Sequence, residues 1–153
     1  MMKSMAIIAL FIGLFAEPKL ADRKPPVPMD SQVEAAVLKL LDAYMSAWNR
    51  TDLAAWEGTF HFPHYRLASG KMTVLDRPGV QDTPKIWAAP SDWHHSGWDR
   101  RRIVHSSGEK VHVDTRFTRY RDDGSKIASY DSLYIVTKED GRWGVKMRSS
   151  FAR

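Results

Sequence analysis

The last third of the chain alternates apolar and polar residues in consecutive runs, and this pattern constrains the fold more than any other feature of the sequence. The runs cover residues 98–106, 110–121, 126–138 and 142–151, separated by Ser107-Gly108, Asp123-Gly124 and Asp140-Gly141. Asp-Gly between alternating runs is a strong hairpin signal, because both residues tolerate the positive φ angles of tight turns. The pattern therefore predicts four long antiparallel strands, each paired with the next along the chain.

The alternation also assigns residues to faces of the sheet, since successive side chains of a strand point to opposite sides. One face of the second run holds Val111, Val113, Thr115 and Phe117, and the other holds His112, Asp114, Arg116 and Thr118. In the last run the apolar face comprises Trp143, Val145, Met147, Ser149 and Phe151, and the opposite face Lys146, Arg148 and Ser150. We expect helices to cover the apolar face, and water or a second subunit to cover the polar face.

An amphipathic helix is predicted ahead of the strands. It begins at a capping box, in which Ser31 and Glu34 satisfy backbone amides of the first turn. Its apolar stripe has helical spacing up to about Asn49 and consists of Val33, Val37, Leu40, Leu41, Tyr44 and Trp48.

A second, shorter helix follows, capped by Thr51 or Asp52 and ending at Gly58. After Pro63 the period changes to two, and a turn at residues 69–70 leads into a further extended run at 71–77. Residues 82–93 contain two prolines and two tryptophans and predict a short helix or a lid-like loop. Together these elements predict an α+β fold with helices on one face of a curved, mostly antiparallel sheet.

Residues 1–28 form a separate segment, ahead of a domain at 29–153. The apolar run from Met5 to Ala16 is too short to span a bilayer, which takes about 20 residues, and is typical of a signal peptide. A proline-rich linker follows it. Alternatively, Met29 is the true start, and residues 1–28 are an upstream extension. A signal peptide predicts a periplasmic or secreted protein, whereas its absence predicts a cytoplasmic one.

Composition excludes several classes of function. The net charge is +5, but the basic residues are scattered apart from Arg100–Arg102, so no nucleic-acid footprint is predicted. The chain has no cysteine, which excludes thiolate nucleophiles and cysteine-ligated zinc. It also lacks a glycine-rich phosphate loop and a nucleophile elbow. We therefore expect no cofactor, no metal, no nucleic-acid partner and no stable membrane insertion of the core domain.

The segment FHFPH, residues 60–64, places His61 and His64 three positions apart. A shared metal ion would need both rings on one side, but Pro63 favours an extended backbone, in which odd spacing sends them to opposite faces. His64 can instead form an outward polar pair with Arg66. It can also enter a pocket at the mouth of the sheet, where a histidine suits acid–base chemistry.

Other candidate residues have two interpretations each. His94 and His95 are adjacent, so at most one of them can serve a site, at a lid or a pocket rim with the neighbouring tryptophans. Their alternative is a solvent-exposed turn. Tyr44 and Trp48 belong to the apolar stripe of the first helix, where they can be core residues or line a cavity.

Several segments together carry a family resemblance: the helix with Tyr44 and Trp48, the Asp52-Leu53 start of the second helix, FHFPH, FTRY and GRWGVKMRSSF. In this order they resemble the nuclear transport factor 2-like superfamily, over roughly residues 31–152, and look closest to an uncharacterised bacterial branch with similar segments. The resemblance implies a cone-shaped, strongly curved sheet with the N-terminal helices on its concave face. Ketosteroid isomerases, scytalone dehydratase and SnoaL-type polyketide cyclases share this fold.

The resemblance also bears on catalysis. Ketosteroid isomerases have a tyrosine donor eight residues before an aspartate, and Tyr44 stands eight residues before Asp52. Their general-base aspartate precedes a proline, where this chain has Phe62. Their second oxyanion carboxyl would fall near Leu133 or Tyr134, neither of which is acidic. Ketosteroid isomerase activity is therefore not expected.

Three hypotheses of function remain. The first is a domain that binds a small apolar or aromatic molecule in an aromatic-lined cone pocket formed by Tyr44, Trp48, Trp56, Phe60, Tyr65, Trp93, Phe117, Leu133, Met147 and Phe151. The second is a cofactor-independent lyase or isomerase of SnoaL or dehydratase type, with Tyr44 as hydrogen-bond donor and His64 or His94 as base. The third is a homodimeric interaction module that pairs through the polar sheet face.

Overall fold

The computed structural model describes residues 30–81, 87 and 91–152. Within them, the helices are α1 (Ser31–Asn49) and α2 (Leu53–Glu57), and the strands are β1 (Phe60–Ala68), β2 (Lys71–Leu75), β3 (His95–Ser106), β4 (Lys110–Tyr120), β5 (Lys126–Glu139) and β6 (Arg142–Ser150). The segment 1–28 and most of the lid predicted at 82–93 lie outside the described residues. The α+β prediction is confirmed.

The two helices begin at aspartates. Asp30, rather than the predicted Ser31, caps α1, because its carboxylate accepts the Gln32 amide at 2.8 Å. Asp52 caps α2 by accepting the Ala55 amide at 3.0 Å. The carboxylates lie at the positive end of each helix, where they also offset the helix dipole. No helix of the described ranges is long and apolar enough to cross a membrane.

The strands form one curved, open sheet in the order β2-β1-β6-β5-β4-β3. β3, β4, β5 and β6 make the predicted antiparallel meander, with glycines at positive φ in the turns at Gly124 and Gly141. β1 pairs in parallel with β6 and antiparallel with β2. α1 packs across the concave face against β3 and β6.

A bulge in β6 reverses the faces predicted for the end of the chain. Val136 pairs with Val145, and Ile135 pairs with Met147, so Lys146 is an extra residue in β6. Such a residue shifts the alternation by one position. Val145 therefore faces the core as predicted, but beyond the bulge Arg148 and Ser150 face the helices. Met147 lies on the outer face, which is the reverse of the sequence prediction.

The core lies between α1, α2 and the concave face. Its fully buried side chains are Val37, Leu41, Trp56, Phe60, Val111, Val113, Val136 and Val145. Val111, Val113 and Thr115 are buried as the alternation of β4 predicts. Gly144 has no room for a side chain, because a Cβ there would lie 2.7 Å from the buried ring of His61.

Candidate functional site

A cavity of about 390 Å³ opens between the helices and the concave face of the sheet. Its apolar lining comes from Tyr44, Met45, Trp48, Trp56, Leu75 and Phe117. Its polar lining includes the guanidinium-bearing Arg66, Arg119 and Arg148, with Tyr134 and the smaller Thr73, Gln81, Ser96 and Ser150. The site thus combines an aromatic wall with an unusual concentration of positive charge.

The aromatic wall is a packed cluster. The Trp56 ring lies 4.9 Å from Trp48, 5.6 Å from Tyr44 and 4.9 Å from Phe60, measured between ring centroids. Trp87 extends the cluster at 5.0 Å from Trp48. The tilted and edge-on contacts are those that aromatic pairs prefer, and they fix the wall against which an apolar ligand would lie.

Arg148 connects this wall to two tyrosine hydroxyls. Its guanidinium carbon lies 5.1 Å from the centre of the Trp56 ring, a cation–π arrangement. One of its terminal nitrogens donates to the Tyr44 hydroxyl, which also accepts from Tyr134 at 3.5 Å. Burial raises the pKa of Tyr134 well above its ordinary value, so this phenol stays protonated and remains a donor.

Arg66 and Arg119 complete the positive group. Arg66 is the register partner of Arg148 on the neighbouring strand, with both side chains on the cavity side. The pKa of Arg66 is lowered, first by burial and next by the charge of Arg148. Arg119 lies over the Tyr130 ring at 5.2 Å. Among the residues that the structure describes, no carboxylate forms an ion pair with any of these arginines.

His64 does not reach the cavity. It is fully buried, donates through Nδ1 to the Val145 carbonyl at 2.9 Å and stacks on Phe60 at 3.9 Å. Burial, followed by the charge of Arg148, lowers its pKa to about 3. The ring is therefore neutral at physiological pH and has no route to a ligand. His64 is thus neither the outward partner of Arg66 nor the cavity base that the sequence predicts as alternatives. It is a buried residue of the core.

The other histidines are also away from the cavity. His61 is buried, and its Nδ1 donates to the Thr137 hydroxyl at 2.9 Å. His94 is exposed and lies 3.4 Å from Asp122. Across the described ranges, no group of three or more His, Cys, Asp or Glu residues could hold a metal ion.

Only some of the residues predicted for the pocket line the cavity in the structure. Tyr44, Trp48, Trp56 and Phe117 line the cavity. Phe60 is buried behind this wall. Trp93 is not part of the lining, but its indole N–H donates to the hydroxyl of Ser96, which is.

The remaining four lie elsewhere, for geometric reasons. Tyr65 and Met147 are register partners on the outer face. For Met147 this follows from the β6 bulge, and Tyr65 lies on β1 opposite to the cavity-facing Arg66. Leu133 is 39% exposed on the outer face, since its neighbours Ser132 and Tyr134 point inward. Phe151, beyond the end of β6, is 78% exposed.

Sequence reasoning missed the three arginines of the cavity. Arg119 continues the parity of Val113, Thr115 and Phe117, so the alternation of β4 is enough to predict that its side chain faces the helices. Arg66 shares the parity of His64, for which the sequence pattern allows either face of the sheet. Arg148 could not be placed without knowledge of the bulge at Lys146.

Comparison with known proteins gives a family match. The model of the family described as NTF2-like protein (DUF6841) matches residues 34–148. No curated protein matches the sequence.

Solved structures share the fold at low identity. An NTF2-like protein of unknown function from Shewanella oneidensis MR-1 is 21% identical with a TM-score of 0.62, over 78% of this chain and 99% of that chain. A protein of unknown function with a cystatin-like fold from Nostoc punctiforme is 10% identical with a TM-score of 0.67, over 83% of this chain and 96% of that chain. A ketosteroid isomerase-like protein from Erwinia carotovora atroseptica is 18% identical with a TM-score of 0.60, over 80% of this chain and 97% of that chain. At these identities the similarity establishes the fold and not the activity.

Proposed function

The chain belongs to the family described as NTF2-like protein (DUF6841), and on this basis we propose that it is a small-molecule-binding domain whose ligand occupies the cavity between the helices and the concave sheet. The observation that carries the proposal is the cavity itself. Its volume of about 390 Å³ lies within the usual range of ligand sites, roughly 300–1,000 Å³. Aromatic side chains with a few convergent polar groups are the usual lining of such sites.

Binding accounts for the lining better than catalysis by a histidine base. Tyr44 is in the cavity as a hydrogen-bonding group, but neither His64 nor His94 lines it. Within the described part of the chain, no histidine, aspartate or glutamate lines the cavity. A proton-abstracting base must lie within hydrogen-bond reach of its substrate, and the cavity lining formed by the described residues offers the lyase or isomerase hypothesis no such group.

The homodimer expected from the sequence stays a prediction. The outer sheet face is not uniformly polar, because Tyr65, Leu133, Ile135 and Met147 lie there beside the ion pairs of Asp131. A second copy of the chain remains our proposed partner for this face.

Filling the cavity is expected to abolish binding of a neutral apolar probe. Thr73 lines the cavity on β2, and a Thr73→Trp substitution would put an indole into that space. N-phenyl-1-naphthylamine fluorescence measures the affinity, which we expect to fall at least about tenfold, or roughly 1.4 kcal/mol.

The neighbouring Met72 supplies a matched control. It lies on the same strand, points to the opposite side and is 49% exposed. Met72→Trp should leave the affinity unchanged, and circular dichroism should show that both variants are folded. An unchanged affinity in Thr73→Trp, or an equal loss in both variants, would refute the cavity as the binding site.

A further inference from the structure

The arginines of the cavity differ from those of the outer sheet face in their partners. On the outer face, Arg100 forms ion pairs with Asp114 at 2.9 Å and Asp131 at 3.0 Å. Arg116 lies 2.7 Å from Asp131. Over the described residues, no such ion pair is formed by Arg66, Arg119 or Arg148. In the described part of the chain, arginines that face water are therefore paired with carboxylates, whereas those that face the cavity are not.

The positions of the arginines in the cavity favour a bound anion. Two positive side chains on the same face of neighbouring strands repel each other, and more strongly where burial lowers the effective dielectric. Arg66 and Arg148 are register partners on β1 and β6. The lowered pKa of Arg66 has the same physical origin, burial beside a second guanidinium. An anion between the two groups would remove this repulsion.

The hydrogen-bonding character of the site also favours an anion. Guanidinium groups only donate. The Tyr44 hydroxyl accepts from Arg148 and Tyr134, and its own proton is given to no acceptor among the described residues, so it too can donate to a ligand. The Nε of Arg148 is buried and has no hydrogen-bond partner among the described residues. A planar carboxylate accepts two parallel bonds from a guanidinium, which makes it well matched to an arginine pair.

We propose that the ligand of this cavity is a compact organic acid, an aromatic or alicyclic carboxylate. Its carboxylate binds Arg66 and Arg148, with Arg119 adding to the positive field, and its apolar body lies against Trp48 and Trp56. This proposal rests on the proposed function, because it names the ligand class of the same cavity.

Calorimetric titration with matched probes tests the charge requirement. The carboxylates are benzoate, 2-naphthoate and biphenyl-4-carboxylate, and each is compared with its neutral carboxamide. We expect at least one carboxylate to bind about tenfold or more tightly than its amide, with an affinity that falls as salt is raised. 2-Naphthalenesulfonate is included as a tetrahedral anion and should bind more weakly than 2-naphthoate.

Two methionine variants assign this preference to the cavity. Arg66→Met should remove the advantage of the carboxylate and leave amide binding unchanged. Arg102→Met, on the outer face where the side chain is 70% exposed, should change neither. Without ligand, Arg66→Met should melt a few degrees above the wild type, because the repulsion from Arg148 is gone.

The outcomes separate this inference from the proposed function. If carboxylates and amides bind equally, or if Arg66→Met weakens both equally, the charge proposal is wrong and the small-molecule site stands. A tighter sulfonate would also overturn the carboxylate class. If no probe binds and the neutral dye fails too, both proposals fall together.

Discussion

Lowering the pH from 7 to 5 is expected to reduce the free energy of unfolding by about 2 kcal/mol through His64 alone. The pKa of His64 is about 3 in the folded protein, against 6.5 ordinarily, and one pKa unit corresponds to about 1.4 kcal/mol. Below pH 6.5 the unfolded chain therefore binds a proton at His64, whereas the folded chain does not bind it until the pH approaches 3. The stability from His64 is complete above pH 6.5 and is lost as the pH falls toward 3, where the loss reaches roughly 4–5 kcal/mol.

The surroundings of His64 give this effect its sign. Burial is the largest cause of the lowered pKa, and the charges of Arg148, Arg66 and Lys146 lower it further. The hydrogen bond to the Val145 carbonyl acts in the opposite direction. Urea unfolding between pH 7 and pH 5 measures the loss. His64→Gln keeps a side-chain donor but cannot titrate, so its unfolding free energy should depend less steeply on pH.

An exposed histidine provides the control for this experiment. His105→Gln should retain the pH dependence of the wild type, because His105 lies on the surface. In the wild type, NMR titration should find the His64 ring neutral at pH 5. An equally steep loss of stability in His64→Gln, or a protonated His64 ring at pH 5, would show that this account of the buried histidine is wrong.

Replacing Trp56 by alanine is expected to destabilise the protein by about 3–5 kcal/mol, the usual loss for a large aromatic removed from a core. The side chain is 1% exposed and contacts the rings of Tyr44, Trp48 and Phe60. It also forms the face on which Arg148 lies. The substitution should therefore weaken ligand binding together with stability, because one ring serves the core and the cavity wall.

Trp56→Phe is the matched variant for this prediction. It retains an aromatic ring and removes an indole N–H that is buried without a partner among the described residues. Urea unfolding should place its stability between those of the wild type and the alanine variant. If Trp56→Ala costs less than about 1 kcal/mol, the aromatic cluster is not the centre of the core.

The fold could be predicted because its signals are local and repeated. The Asp-Gly turns and the alternation of β4 do not depend on distant parts of the chain, and no bulge interrupts the pairing of Val111, Val113 and Thr115 with β5. The helix stripe that carries Tyr44 and Trp48 is likewise local. The period alone is enough to predict that these side chains face the space between the helices and the sheet.

Apart from Arg119, whose position follows from the alternation of β4, the polar half of the site could not be predicted in the same way. The position of Arg148 depends on the bulge at Lys146, and a bulge forms through pairing with β1 and β5, which local alternation does not encode. His64 shows the same limit. Its alternation left both faces open, and only the packing against Phe60 and the Val145 carbonyl shows that it is a buried structural residue.

A crystal structure of the protein with 2-naphthoate would show whether the cavity binds an aromatic carboxylate through its arginines. We expect the naphthalene ring to lie against Trp48 and Trp56, with the carboxylate within hydrogen-bond distance of the Arg66 and Arg148 guanidinium groups. A cavity filled by the protein's own side chains, or a naphthoate bound only outside the cavity, would contradict this expectation.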